Sequence, residues 1–248
     1  GVSTDIFSTM NLSFTRGDEE AAVRENYHRL ARALGAEVGQ FVCSDQTHTV
    51  NVRRVTAADA GKGLTRERDY RDVDGLITDE PGLVLSTFYA DCVPLYVVDP
   101  VHRAIGMSHS GWRGTAARMG AVTLSAMQEA YGTRPEDVVC AVGPSICKDC
   151  YEVSADVADI FAEEFPGHEQ EILAESEKNS VGMAHADKKY QLDLWKANEL
   201  VLTDAGIRPE HMAVTNVCTC CNPELLFSHR ASKGKRGNLA AFIALKEG

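Results

Sequence analysis

Residues 89–115, "YADCVPLYVVDPVHRAIGMSHSGWRGT", hold two apolar runs with a turn between them. The runs cover residues 94–98 and 104–108, and proline and charged residues lie between them. Two short apolar runs on either side of a turn predict a β-hairpin. Cys92 would precede the first strand and His109 would follow the second, so one end of the hairpin would carry a thiol and an imidazole.

Further apolar runs predict the other strands of the protein. We expect them at residues 39–43, 50–55, 75–78, 83–88, 138–142, 213–217 and 239–244. Periodic apolar positions followed by glycine or proline predict helices at about residues 18–35, 115–131, 154–165 and 193–205. Some strands follow one another directly and others are separated by helices. This mixture favours an α+β fold, a layered sandwich in which helices flank a mixed β-sheet, over a doubly wound parallel sheet.

The bulk composition limits the class of protein. The chain is 248 residues long, is 44% hydrophobic and has no linker or repeat, so we expect one domain over residues 1–248. A net charge of −11 and a pI of about 5.2 argue against a nucleic-acid-binding protein, which needs a basic surface. No apolar stretch is long enough to cross a membrane and no signal peptide is visible, which predicts a cytoplasmic protein without a membrane partner.

Eight cysteines in a chain of this length do not suggest a secreted disulfide scaffold, and a reducing compartment fits them better. Five of them form the pair Cys147-x-x-Cys150 and the cluster of Cys218, Cys220 and Cys221. Such groups are typical of a structural zinc site or of a redox pair. We expect buried thiols close to the functional pocket here, rather than a second metal.

Three residues far apart in the chain could share one metal ion. His48 follows the strand predicted at residues 39–43, while Cys92 and His109 flank the hairpin. A catalytic zinc site takes three such ligands and keeps a fourth position for water. The alternative is that each is an ordinary buried thiol or hydrogen-bonded imidazole, because no compact ligand motif links them.

The loop after His109 suits an anion. Gly111 and Gly114 allow backbone N–H groups to approach a ligand closely, and Arg113 adds a positive charge. Glycine-rich turns between a strand and a helix are common, so this signal alone has limited specificity. Trp112 in the same loop could stack on a ring or serve as a packing anchor.

Motifs of one protein family occur in order through nearly the whole chain. They are "NLSFTRGD" (11–18), "QTHTV" (46–50), "DGLITD" (74–79), "ADCVPLYVVDP" (90–100), "HSGWRGT" (109–115), "GPSICKDCYEV" (143–153) and "LLFSHR…KRGNLAAF" (225–242). Together they closely resemble the laccase-domain, or polyphenol-oxidase, family. Its members are described as zinc-dependent purine nucleoside phosphorylases with adenosine deaminase side activity.

The resemblance implies a fold, a cofactor and a reaction. His48, Cys92 and His109 match the three zinc ligands of the family, and one zinc per chain would be bound in a layered α+β sandwich. Phosphate would cleave adenosine, inosine, guanosine and methylthioadenosine to the free base and ribose 1-phosphate. Adenosine would also be deaminated to inosine. The partners would be a nucleoside and phosphate, and the protein would be a monomer or a small homo-oligomer.

The same motifs suggest four further site residues. Arg113, His229 and Arg236 lie in motifs that neighbour the family's pocket, and we expect them to contact substrate or phosphate. Asp91 precedes a metal ligand and could shuttle a proton or orient a ligand.

Two other activities stay open. Cys92 could be the nucleophile of a cysteine hydrolase with His109 as its base, and some proteins similar to this family are implicated as amidases that edit peptidoglycan precursors. A copper polyphenol oxidase is less favoured, because multicopper oxidases need many histidines in His-x-His pairs. The chain has eight histidines and none in such a pair, although copper could enter a zinc site of this kind.

Overall fold

The computed structural model describes residues 1–180 and 182–246. The helices are α1 (Glu20–Leu34), α2 (Trp112–Ala116), α3 (Met119–Tyr131), α4 (Ala155–Glu164), α5 (Glu169–Ile172), α6 (Leu194–Asp204) and α7 (His229–Ser232). The strands are β1 (Phe41–Cys43), β2 (Val52–Arg54), β3 (Gly75–Thr78), β4 (Val84–Tyr89), β5 (Val93–Asp99), β6 (Ala104–Ser110), β7 (Val139–Val142), β8 (Glu152–Ser154), β9 (Leu173–Glu175), β10 (Lys189–Leu192), β11 (Met212–Val214) and β12 (Leu239–Ala244). None of the helices in these ranges combines the length and the apolar character that a bilayer crossing requires.

The predicted hairpin forms the centre of the largest sheet. Strands β5 and β6 pair antiparallel from Val93 opposite Ser110 to Asp99 opposite Ala104. The sheet has the order β11-β7-β5-β6-β3-β2, with parallel pairs at both edges and antiparallel pairs between them. The prediction of an α+β fold with a mixed sheet and flanking helices is therefore confirmed.

Apolar side chains on both faces of this sheet build the layers. On one face, Leu76 and Met107 pack with Leu85 of a second sheet, whose order is β1-β4-β12. On the other face, Leu95 packs with Leu124 of α3 and with residues of α6. Because strand residues alternate between faces, one hairpin supplies side chains to two cores.

Helix α1 covers the outer face of the second sheet. Val23, Tyr27 and Ala31 recur every four residues and are buried against β1 and β4. The helix ends at Gly35, which takes the left-handed conformation at φ 67°, as the sequence predicts. At the other end, Glu19 precedes the first turn, and Asp18 accepts hydrogen bonds from Ser3 and Asn11 of the N-terminal segment.

The helix predicted at residues 115–131 is divided in two. Helix α2 begins three residues earlier, at Trp112, and α3 begins at Met119. Arg118 between them has φ 59°, a left-handed conformation that interrupts helical hydrogen bonding. Its guanidinium bonds the carboxylate of Asp204 at the end of α6, so a tertiary contact stabilises the break.

A third sheet, of order β8-β10-β9, was not expected from the sequence. Its strands are short, and most of their residues are partly buried or exposed, so they lack the apolar runs that predict strands. Residues 167–189 contain α5, β9 and the first residue of β10. Val181 in that segment lies outside the described residues.

Candidate active site and metal centre

The three predicted metal ligands come together. Ligand atoms of His48, Cys92 and His109 all lie within 4.8 Å of one another, and the two imidazole rings are 5.0 Å apart between centroids. His48 lies in the loop after β1 and Cys92 in the turn between β4 and β5. His109 lies inside β6, opposite Pro94, rather than beyond the strand as the sequence suggests. The hairpin therefore fixes the relative position of two of the three ligands.

A buried carboxylate organises this group. One oxygen of Asp74 lies 2.8 Å from Nδ1 of His109, and its two oxygens accept the backbone N–H groups of Thr47, His48 and Thr49 at 3.0–3.1 Å. With Asp74 ionised, Nδ1 of His109 carries the proton and Nε2 is left for a metal. Sequence reasoning missed this residue, although it is the first letter of the quoted motif "DGLITD".

Charges in the group are mutually stabilised. Burial raises the pKa of Cys92, but the charge of His109 and hydrogen bonds from both imidazoles outweigh this and lower it to about 6. Burial lowers the pKa of His109, but the Cys92 thiolate and the Asp74 carboxylate raise it to about 9. Without a metal, the site therefore holds a thiolate next to an imidazolium at neutral pH.

The donor set and the space around it fit a single transition metal ion. One thiolate and two imidazoles are ligands that zinc and copper both accept. A Cβ atom on Gly111 would lie 3.0 Å from Sγ of Cys92 and 3.3 Å from Cδ2 of His48. Only glycine leaves this side of the ligand group open.

A cavity of about 730 Å³ lies over the ligand group. Its lining combines aromatic and basic side chains with the three ligands. Phe14, Phe88, Tyr89, Trp112 and Tyr151 supply the aromatic walls, and Arg16, Arg68, His229, Arg230 and Arg236 supply the basic groups. This volume falls in the range of small-molecule pockets.

Arg236 is the most deeply placed of the basic groups. Only 8% of its surface is exposed, and one terminal nitrogen donates to the carbonyl of Gly237 at 2.9 Å and to the side chain of Asn238. Its Nε has no hydrogen-bond partner among the residues that the structure describes. Burial and the neighbouring Arg16 lower its pKa to about 10, so it is still cationic at neutral pH. Arg236 thus offers a charge and a free donor to an anion.

His229 lines the same cavity from the first turn of α7. Burial and the charge of Arg236 lower its pKa, so the neutral imidazole predominates at neutral pH. A neutral ring can accept or donate one hydrogen bond to a substrate. Of the three residues predicted to contact substrate, the cavity includes His229 and Arg236.

Arg113 is placed differently. Its side chain is exposed, its guanidinium lies 4.2 Å from the ring centroid of Trp112, and it does not belong to the residues that line the cavity. Trp112 does line it, so the glycine-rich loop contributes an aromatic wall. The assignment of Arg113 to anion contact stays a prediction.

Asp91 lines the cavity next to Cys92, with 7% of its surface exposed. Its two carboxylate oxygens accept from Oγ1 of Thr219 at 2.6 Å and from the backbone N–H of Arg230 at 2.7 Å. These bonds hold the first turn of α7, and therefore His229, against the cavity. The proton-shuttle role predicted for Asp91 stays untested by this geometry.

The remaining wall comes from segments that sequence reasoning left without a role. Phe14 and Arg16 belong to "NLSFTRGD", and Tyr151 belongs to "GPSICKDCYEV". Their motifs were recognisable, but nothing local shows that residues so far apart in the chain share one cavity. Gln46 reaches the same space from the loop after β1, and Arg68 reaches it from the connection between β2 and β3.

Fold and site together define an α+β protein with a candidate metal site beside a pocket that basic side chains help to line. The chain belongs to the family described as multi-copper polyphenol oxidoreductase laccase, whose model matches residues 1–246. This confirms the resemblance drawn from the motifs.

Similar proteins include two bacterial enzymes. Purine nucleoside phosphorylase YlmD of Bacillus subtilis is 35% identical over 251 residues, which cover 100% of this chain and 86% of the relative. Purine nucleoside phosphorylase of Bacteroides thetaiotaomicron is 32% identical over 99% of this chain and 88% of its own length.

Two crystal structures share this fold over most of their length. YlmD from Geobacillus stearothermophilus superposes with a TM-score of 0.88 at 35% identity, over 100% of this chain and 88% of that one. The hypothetical protein YfiH of Bacillus licheniformis superposes with a TM-score of 0.91 at 33% identity, over 99% and 89%.

Proposed function

We propose that the protein cleaves purine nucleosides with inorganic phosphate to give the free base and ribose 1-phosphate. The observation that carries this proposal is one cavity that joins a three-ligand metal centre to a buried arginine with a free donor. The names of the two bacterial relatives support the same reaction. Adenosine, inosine, guanosine and methylthioadenosine are the substrates we expect.

In the reaction, a phosphate oxygen forms a bond to C1′ of the ribose while the bond from C1′ to the purine nitrogen breaks. The base leaves with the electron pair and takes up a proton. Arg236, Arg16 and neutral His229 are suited to hold the phosphate dianion, through charge and donated hydrogen bonds. Phe14 and Tyr151 offer aromatic faces for the purine. Positioning of the two reactants is then the main contribution of the chain.

We assign zinc to the centre, held by His48, Cys92 and His109, with Asp74 keeping His109 in the required tautomer. Bound by these three residues, zinc would supply an acidified water, which is the nucleophile that deamination of adenosine at C6 requires. Deamination to inosine, with release of ammonia, is therefore the second activity we propose. Copper would also bind such donors, more tightly than zinc where it is available.

Arg113 and Asp91 have minor roles in the proposed reaction. Arg113 could contact phosphate only if its side chain left the ring of Trp112, and Arg113→Gln tests this through the KM for phosphate. Asp91 holds α7 through the Arg230 N–H, and Asp91→Asn separates that role from proton transfer. Asparagine keeps an acceptor for the N–H group, so loss of turnover with an unchanged KM for nucleoside would favour proton transfer.

The proposal is tested by measuring metal content and turnover on one sample. Purified protein is incubated with adenosine or inosine, with and without phosphate, and the products are separated. We expect phosphate-dependent release of base, together with inosine from adenosine. His48→Ala should lose both products and the metal of this centre. His28→Ala, which changes an exposed histidine on α1 far from the centre in the chain, should retain them. Base release that does not depend on phosphate would contradict phosphorolysis.

A cysteine hydrolase that acts on peptidoglycan precursors is the second candidate. The lowered pKa of Cys92 and the contact of His109 with Asp74 are also what a cysteine nucleophile with an oriented base would show. The two candidates differ in their response to metal removal. Chelation should abolish the zinc-dependent reactions, whereas a hydrolase with Cys92 as its nucleophile should stay active after chelation and lose its activity on alkylation of the thiol.

A copper polyphenol oxidase is the third and weakest candidate. Multicopper oxidases need several copper ions held largely by histidine. The described residues hold two groups of metal-ligand side chains, and only one of them contains histidine. Oxidation of a phenol by the copper-loaded protein, measured as oxygen uptake, would favour the polyphenol oxidase over the other two candidates.

A further inference from the structure

A second group of metal-ligand side chains lies outside the cavity. Sγ atoms of Cys147, Cys150, Cys218 and Cys221 all lie within 4.8 Å of one another, and none of the four residues lines the cavity. They form two Cys-x-x-Cys pairs, and the pair of Cys218 and Cys221 comes 71 residues after the pair of Cys147 and Cys150 in the chain. Cys218 is buried, the first pair is half-buried and Cys221 is exposed, so the expectation of buried thiols holds only for Cys218.

Backbone donors already point at the buried sulfur. The N–H of Cys147 donates to Sγ of Cys218 at 3.3 Å, and the N–H of Cys221 donates to the same atom at 3.4 Å. Two such bonds stabilise a thiolate over a thiol. The sulfurs of Cys150 and Cys221 lie 3.4 Å apart, so the exposed members of the pairs also meet.

Backbone pairing holds the two segments in register next to the sulfurs. Ser145 forms a parallel bridge with Cys218, in which its N–H donates to Val217 at 3.2 Å and its carbonyl accepts from Thr219 at 3.1 Å. The geometry of the four sulfurs is therefore set by β-type pairing as well as by the loops themselves. Such preorganisation lowers the cost of assembling a metal site.

We propose that these four cysteines bind a structural zinc ion, distinct from the zinc of the candidate active site. Zinc bonds sulfur at about 2.3 Å in a tetrahedron, which places the sulfurs roughly 3.8 Å apart. The four sulfur atoms, which lie within 4.8 Å of one another, would need only small side-chain movements to reach this arrangement. Four protein ligands complete the coordination shell, which is typical of a structural rather than a catalytic zinc.

Charge and stoichiometry are consistent with this assignment. Four thiols that bind one Zn²⁺ release four protons to solvent, and the resulting site carries a net charge of about −2. The guanidinium of Arg230 donates to the carbonyls of Cys150 and Glu152 at 3.1 and 2.9 Å, so a cation is already present beside one ligand. An iron–sulfur cluster is less suited, because it needs room for more than one iron between the thiolates.

The proposed ion would join two segments behind the cavity. Tyr151, a cavity wall, directly follows Cys150, and Thr219, which donates to Asp91, directly follows Cys218. A metal crosslink between these segments would restrict the unfolded chain and hold both residues in place. The zinc is therefore expected to stabilise the fold and to shape the cavity without contact with substrate.

The test counts metals in protein that is purified under reducing conditions. We expect two zinc ions per chain in the wild type, one in His109→Ala and one in Cys218→Ser. Cys220→Ser removes a neighbouring thiol that is not one of the four, and it should keep two. One zinc in the wild type, lost in His109→Ala and kept in Cys218→Ser, would overturn the proposal.

Folding of the variants does not limit the test. Wild-type protein reconstituted with Co²⁺ should show thiolate-to-cobalt charge-transfer absorption in excess of that from the Cys92 site, with two cobalt ions per chain. Alkylation of the metal-loaded protein should spare the four cysteines and label Cys220. Iron at the site, or disulfides among the four in the unreduced protein, would also overturn the assignment. Neither readout depends on nucleoside turnover, so it is independent of the proposed function.

Discussion

The carboxylate of Asp74 lies 2.8 Å from Nδ1 of His109 and also accepts the backbone N–H group of His48. One fully buried aspartate therefore orients two of the three proposed metal ligands. Burial raises its pKa, but the hydrogen bond from His109 and the backbone N–H groups outweigh this and lower it. The geometry of the centre depends on this carboxylate as much as on the ligands themselves.

Replacement of Asp74 by asparagine should weaken the centre without removing a ligand. The amide has one acceptor oxygen where the carboxylate has two, so at least one of its donors is left without a partner. We expect a roughly 10- to 100-fold loss in metal affinity and in kcat/KM. Competition with a chelator measures the first and phosphorolysis measures the second. Asp72→Asn, an exposed residue that bonds Thr47, should leave both unchanged.

Arg236→Gln should separate phosphate binding from nucleoside binding. The change removes a charged donor worth about 1.5–3 kcal/mol when it bonds an anion, so the KM for phosphate should rise roughly 10- to 100-fold. The KM for nucleoside should change little. Lys235→Gln is the control, because it removes an exposed charge from the preceding position. If both KM values changed equally, or if only the Tm fell, Arg236 would have a structural role and would not bind phosphate.

Because of Asp59, the free energy of unfolding should depend on pH in the acid range. It is buried, and although burial raises its pKa, hydrogen bonds from Lys62, Thr56 and Arg53 lower it from 3.8 to about 2. The stabilisation is complete above about pH 5, where Asp59 is ionised in both the folded and the unfolded state. It decreases as pH falls from about 5 toward 2, because the unfolded chain takes up the proton first.

Urea unfolding of Asp59→Asn and wild type at several pH values measures this effect. The difference in unfolding free energy should be at most about 2 kcal/mol at pH 7, because Arg53 is partly exposed and solvent screens it. The difference should narrow below about pH 5. Asp69→Asn removes an exposed partner of the same Lys62 and should show little change. A difference that does not vary with pH would mean that packing, not charge, explains the loss.

The structural features that depend on local sequence patterns could be predicted from the sequence. Strand β3 has the predicted bounds, because four apolar or β-forming residues follow a charged segment and are all buried. The three candidate ligands, which the structure brings together, could be named in advance because each lies in a recognisable motif, and their role as metal ligands stays a prediction. By contrast, the break at Arg118 depends on a contact with Asp204, and no local signal encodes a contact of that range.

The cavity illustrates the same limit. Arg16 and Arg236 line one cavity because the fold brings their segments together. Both lie in recognisable motifs, but neither motif alone shows that the two side chains share a pocket. The four-cysteine group follows this rule too. Its Cys-x-x-Cys pairs were visible, but whether they meet depends on the bridge between Ser145 and Cys218.

Gly111→Ala should test how closely the ligands are packed. Its backbone, at φ −74°, suits alanine, so any effect comes from the added methyl group. That methyl would lie 3.0 Å from Sγ of Cys92 and 3.3 Å from the ring of His48, which forces at least one ligand to move. Crowding of this kind costs about 1–3 kcal/mol, so metal affinity should fall roughly 10-fold or more.

Gly39→Ala is the matched control for Gly111→Ala, because a methyl group there would meet nothing within 4 Å. Metal content after dialysis against a weak chelator, with kcat for adenosine on the same samples, distinguishes the two variants. We expect Gly39→Ala to match wild type in both. If Gly111→Ala also kept its metal and its turnover, the ligands would have more freedom than the structure gives them, and the assignment of a tightly packed zinc centre would be wrong.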